Sequence, residues 1–175
     1  GIVMEERSNT VALATHEAGH AVIGRILGLR CGRMTIVAEA NENLGHSVMT
    51  DPRFAWERGD GPKRKAAEAF AIGLYAGAEA ERTLLNADPE LDHEDRHRAT
   101  QALAWAGVRG ASFVGDEHFD RVEARLRIEA RRLVVIHRRM IQQVAELVLE
   151  RQTLEGYEID KLVAETHTTR DFHIP

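Results

Sequence analysis

Hydrophobic positions recur at helical spacing over most of this chain. Leu13, His16, His20, Ile23 and Leu27 form one stripe, which predicts a helix from about Ser8-Asn9-Thr10 to Leu27, with Gly28 as its terminator. Period-two alternation then takes over. Met34, Ile36 and Ala38 alternate with Arg33, Thr35 and Val37, which predicts a strand over Cys31–Ala38. A turn at Asn41-Glu42-Asn43 and a second short strand over His46–Thr50 follow, so a small sheet or hairpin is expected beside the first helix. Helical spacing returns in Lys63–Asn86, where Ala67, Phe70, Leu74, Ala78, Glu81 and Leu85 align. Pro89 can open a further helix to about Trp105, carrying Asp95, Ala99, Ala102 and Ala106 on one face. A glycine-containing loop, Gly107–Gly115, separates it from a long helix predicted from an Asp116 cap through Glu150. Thr153-Leu154-Glu155-Gly156 reads as a break, Ile159–Val163 as a short helix, and the tail from Thr166 as frayed. The fold class is therefore mostly α with a small sheet. Residues 1–175 are expected to form a single domain with its core over about 9–163.

Two residues break the apolar stripes in an informative way. Glu81 is a carboxylate on the packable face of its helix, and Asp95 lies on a face of alanines. Buried carboxylates are costly unless something pairs with them. The two histidines of the first stripe belong to His16-Glu17-Ala18-Gly19-His20, an H-E-x-x-H pattern. At i and i+4 both imidazoles reach one metal ion, and the intervening Glu, offset by one residue, reaches an activated water. The competing reading is a satisfied pair of core histidines. Small and apolar neighbours, Val11 to Thr15 and Ala21 to Gly24, favour a buried metal site.

A second copy of the pattern, His93-Glu94-Asp95-Arg96-His97, lies in a charged run and reads as a solvated helix face. Asp95 stands about 200° round the helix from both His93 and His97 at about 100° per residue. The helix can offer the core either Asp95 or the histidine pair. Spacing leaves the third ligand of the first copy open. Ile23 and Ile26 occupy the positions where a metzincin has glycine and histidine, so that class is excluded. Glu39 and Glu42 are available acids near the strand and turn, and Glu81 and Asp95 fit better as acids on packable stripes.

At these residues the chain resembles the protease domain of the FtsH family of ATP-dependent zinc metalloproteases. His16 to Val22 resembles that family's H-E-A-G-H-A-V core, and Arg33-Met34-Thr35-Ile36 with Leu44-Gly45-His46 is similar to its strand and L-G turn. Ala76 to Glu81 resembles its G-G-R-x-A-E-E helix, and Asp95 to Thr100 its D-x-x-x-A-T segment. Leu149 to Ile159 is similar to its closing L-E-x-E-T-L-x-G-x-E-I. These landmarks span roughly residues 10 to 163. The resemblance implies one catalytic Zn2+ held by His16, His20 and Asp95, with Glu17 as the general base. It leaves Glu81 to hold a ligand histidine, a buried ion pair being the alternative. It also implies that the strand near Arg33–Val37 can pair with an extended peptide, with a plain structural hairpin as the alternative.

Composition narrows this picture. The sequence has 175 residues, with 23 basic against 28 acidic residues and a net charge of −5, so a dedicated nucleic-acid binder is not expected. Arg121, Arg125, Arg131, Arg132, Arg138 and Arg139 are interleaved with acids such as Glu123 and Glu129, as on a solvated helix. The single cysteine, Cys31, excludes an intrachain disulfide and fits a reducing, cytoplasmic setting. The longest apolar run, Ala69–Ala78, is too short for a membrane span. No G-x-x-x-x-G-K-[ST] loop occurs, so no ATPase module is encoded here, and the region after Thr100 departs from the family pattern. The expectation is a standalone FtsH-like zinc endopeptidase acting on unfolded polypeptides or peptides. A separate ATPase or delivery partner and a homo-oligomer are compatible with it. The alternative is a weakly active or inactive zinc-binding module serving regulation or protein interaction.

Overall fold

The computed structural model describes residues 2–38, 45–89 and 92–172, with the backbone alone for residue 2 and residues 167–172. Among them the helices are α1 (Ile2–Ile26), α2 (Pro52–Ala55), α3 (Lys63–Leu85), α4 (Asp92–Trp105), α5 (Glu117–Ile136), α6 (Arg138–Arg151) and α7 (Gly156–Phe172). Three short strands, β1 (Cys31–Thr35), β2 (His46–Met49) and β3 (Thr153–Leu154), form one antiparallel sheet in the order β2-β1-β3. No described helix is long and apolar enough to cross a membrane.

Helix α3 is the spine. From Phe70 to Glu81 every residue is buried, because α1, α4 and α5 pack around it. Glycine and alanine permit this close approach. A Cβ at Gly19 would lie 2.6 Å from the Ala76 carbonyl oxygen, so α1 meets α3 backbone to backbone there. Ile23, Phe70, Leu74, Leu103, Leu126 and Ile141 fill the core around this contact.

The ends of α1 show where local signals succeed and fail. Gly28 stops the helix in the left-handed region at φ 80°, with Leu29 N–H donating to the Gly24 carbonyl and Gly28 N–H to that of Arg25. Ser8-Asn9-Thr10 does not start it. The helix begins at Ile2, and the Thr10 hydroxyl instead donates back to the Glu6 carbonyl at 2.8 Å. Asp116 does cap α5, accepting from Phe119 N–H at 2.9 Å. The long final helix is two helices. His137, at φ −104° and ψ 20°, bends the chain after the β-branched run Val134-Val135-Ile136. The bend lets α5 lie on α3 while α6 lies on α1.

Three further expectations are corrected. Strand β1 ends at Thr35, short of Ala38. Thr153-Leu154 is a strand, held by Thr35↔Thr153 pairing, an Ile36 N–H bond to the Gln152 carbonyl and a 2.9 Å bond between the Thr35 and Thr153 hydroxyls. Consequently β1 is central, paired on both sides, and has no edge to offer a peptide. The short helix expected at Ile159–Val163 runs from Gly156 to Phe172 and so takes in residues 166–172 of the tail expected to fray. Arg25, its side chain buried, ties α7 to α1 and β1 by bonding Asp160, Gly32 O and Gly156 O. The helix expected to open at Pro89 is described from Asp92 onward. The expected turn at Asn41-Glu42-Asn43 and the candidate ligands Glu39 and Glu42 lie outside the described residues, as does Leu44.

Several arginines of α5 face acids. Arg125 pairs with Glu68, Arg131 with Glu79 at 3.2 Å and Arg132 with Glu129 at 2.6 Å, the arrangement of a solvated helix surface.

Candidate metal centre

His16 and His20 sit one turn apart on α1, on the face that packs against α3, and both are buried. Helix α4 brings Asp95 to them from the other side. His16 Nε2 lies 2.8 Å from Asp95 Oδ2, His20 Nε2 lies 3.0 Å from the same oxygen, and the two Nε2 atoms are 3.0 Å apart. Ligand atoms around a tetrahedral zinc with bonds of about 2.0–2.1 Å stand about 3.3 Å apart. The triangle fits such an ion once each side chain yields by a few tenths of an ångström.

The outer nitrogens of both rings are directed elsewhere. His20 Nδ1–H donates to the Gly73 carbonyl at 2.9 Å, which fixes that tautomer and leaves the Nε2 lone pair directed at the cluster. His16 Nδ1 faces Glu81 Oε2 at 3.5 Å, and both atoms are buried without a hydrogen-bond partner. A slight tightening would close that pair. Two imidazole nitrogens and a carboxylate oxygen then converge at hydrogen-bond distance, and something positive, a proton or a metal ion, has to lie between them.

Gly77 makes room for this. A Cβ there would lie 2.6 Å from His20 Cε1 and 2.7 Å from Nε2 of each histidine. Gly73, Gly77 and Glu81 follow one another at intervals of four along α3. The same helix face thus supplies a carbonyl acceptor, a cradle and a carboxylate to the two rings.

Glu17 is buried next to the histidines. One ligand atom from each of His16, Glu17 and His20 falls within 4.8 Å of the others, a looser set than the triangle with Asp95. Its Oε2 has no hydrogen-bond partner within the protein. Burial raises the Glu17 pKa above the ordinary carboxylate value, against the opposing pull of His20 and His16. Burial alone would push the His16 pKa down, but the bond to Asp95 and the nearby Glu81 carboxylate outweigh it and lift the value to about 10. For Asp95 burial pushes upward, and the two histidines outweigh it and hold the carboxyl well below the usual range.

The histidines of the second H-E-x-x-H lie elsewhere. His93 and His97 are exposed, while Asp95 between them turns inward, as the helical angle requires. Ion pairs hold α4 at this angle: Arg96 with Glu123 at 3.1 Å, and Asp92 with Arg127 at 3.2 Å. His16, Glu17, His20, Glu81 and Asp95 are therefore gathered in one place. Sequence reasoning missed Gly73, Gly77 and His46. The first two carried a signal, since glycine inside a helix costs about 1 kcal/mol relative to alanine and recurs here at one-turn spacing. His46 opens β2, paired with Thr35, and its ring is among the charges acting on Glu17.

No family model matches the sequence and no curated protein matches it, so the site stands on its own geometry.

Proposed function

We propose that this chain is a zinc-dependent metalloendopeptidase of FtsH-like type, hydrolysing peptide bonds in unfolded polypeptides. The observation that carries the proposal is the convergence of His16 Nε2, His20 Nε2 and Asp95 Oδ2 within 3.0 Å of one another beside a buried Glu17. Two imidazoles and one carboxylate form a donor set suited to catalytic zinc, which keeps a fourth position for water. When bound, zinc supplies Lewis-acid activation of a water and of the scissile carbonyl. The chain's own residues supply the rest. Glu17, with a pKa raised by burial, accepts the proton of the attacking water and returns it to the leaving amine. Gly73 O and Glu81 hold the two rings in register, and α4 delivers Asp95. The proposed substrates are peptides and unstructured segments, or proteins that a separate partner unfolds and delivers.

The test is cleavage of an unstructured labelled casein by zinc-loaded wild type and by Glu17→Gln. Full zinc occupancy in both with turnover only in the wild type supports the proposal. Zinc-loaded wild type that binds the metal yet cleaves no peptide favours a zinc-stabilised interaction module instead.

A further inference from the structure

Asp95 rides on a part of α4 that the hydrophobic core does not hold. The buried residues of α4 are Ala99, Ala102 and Leu103, all beyond Asp95, while residues 92–98 are half-buried or exposed. Charge holds this part instead. Asp92 and Arg96 stand one turn apart on α4, and Glu123 and Arg127 one turn apart on α5. They pair across the two helices. Asp92 Oδ2 meets Arg127 Nη2 at 3.2 Å, and Arg96 meets Glu123 through Nη2 to Oε1 at 3.1 Å and Nε to Oε2 at 3.3 Å. The second pair is two-pronged, which fixes direction as well as distance. Arg98 adds a guanidinium over the Phe70 ring at 5.4 Å.

Glu123 anchors this clamp. It is buried, and a buried carboxylate needs partners. The Tyr75 hydroxyl donates to its Oε2 at 3.5 Å, and Arg127 Nε lies 3.9 Å from its Oε1. Tyr75 is fully buried on α3, and Arg127 lies over its ring at 4.3 Å. Carboxylate, guanidinium and phenol thus seat one another against the helix that also carries Gly73, Gly77 and Glu81. The Arg96 side chain is 54% exposed and takes its direction from Glu123.

Asp92 and Arg96 lie about 60° and 100° round the helix from Asp95, on the same side, at about 100° per residue. The clamp therefore sets how far α4 is rotated about its own axis. A rotation of about 20° moves a carboxylate about 5 Å from that axis by about 1.7 Å, many times the roughly 0.2 Å latitude of a zinc–ligand distance. Resting on the zinc centre of the proposed function, we infer that Glu123 is a positioning residue for that centre, acting through Arg96 to bring Asp95 to the metal. It touches neither the metal nor the substrate.

The experiment measures zinc affinity by chelator competition for wild type, Glu123→Gln, Arg96→Gln and Asp95→Ala, and for each of the first two substitutions combined with Asp95→Ala. Arg96→Gln opens the same pair from its exposed end, so the test stands even where Glu123→Gln does not fold. Zinc binding is expected to weaken at least about tenfold in Glu123→Gln and in Arg96→Gln. Neither substitution is expected to weaken it further in the Asp95→Ala chain, because the ligand they place is then gone. Affinity within about threefold of wild type in both single variants overturns the inference and leaves the peptidase reading intact. So does an equal loss with and without Asp95, which makes the clamp a support of the whole fold. A wild type that binds no zinc overturns both.

Discussion

Replacing Gly77 by alanine tests the cradle with a single methyl group. The added Cβ would stand 2.6–2.7 Å from His20 Cε1 and both Nε2 atoms, whereas ordinary contact begins at 3.4 Å. Each ring has to retreat by about 0.7 Å, several times the roughly 0.2 Å latitude of a zinc–ligand distance. Zinc affinity is expected to fall at least about 10²-fold, or about 2.7 kcal/mol. The metal-free fold is affected much less. Alanine improves helix propensity by about 1 kcal/mol, while overpacking costs about 1–3 kcal/mol, so the two partly cancel. Gly73→Ala is the matched control. Its methyl would meet Met49 Sδ at 2.8 Å, a flexible side-chain end that can move, and the Gly73 carbonyl stays in place. The assay is zinc competition against a chelator of known affinity, alongside urea unfolding in chelator. Zinc affinity in Gly77→Ala within about threefold of wild type, less than 1 kcal/mol, refutes the reasoning.

Glu81→Gln removes the carboxylate facing His16 Nδ1, and zinc affinity should fall about 10–100-fold, as for other outer partners of ligand histidines; equal affinity by the same competition assay assigns Glu81 to packing alone. His93→Ala with His97→Ala should leave zinc stoichiometry unchanged, because both rings are exposed and turned away; a lost equivalent would move the metal to the second motif. In metal-free protein the His16 pKa is raised from 6.5 to about 10, so its contribution to stability is fully present below pH 6.5 and lost as pH rises towards 10. Urea unfolding in chelator should therefore show weaker stability at pH 9 than at pH 6. With saturating zinc the trend reverses, because metal binding displaces those protons; parallel trends in the two series contradict this.

Much of the site could be read from the sequence because its residues lie on regular helices. Spacing alone put His16 and His20 on one face, and a helical angle forced the choice between Asp95 and its flanking histidines. Glu81 stood out as an acid on an apolar stripe. What the sequence hid depends on partners far along the chain. Thr153-Leu154 has too few residues for a strand pattern, and becomes a strand only by pairing with Met34 and Thr35. That pairing closes the β1 edge, which from β1 alone reads as open. The bend at His137 has no proline or glycine to announce it, and follows from α5 and α6 packing on different helices. The role of Gly73 lies in its carbonyl, which no side-chain pattern reports.

The most direct test of the central claim is anomalous diffraction at the zinc edge from crystals grown with zinc. The account predicts one ordered peak about 2.0–2.1 Å from His16 Nε2, His20 Nε2 and an Asp95 carboxylate oxygen, with Glu17 unligated beside it. A peak at His93 and His97, or a zinc ion that Asp95 does not touch, would contradict it.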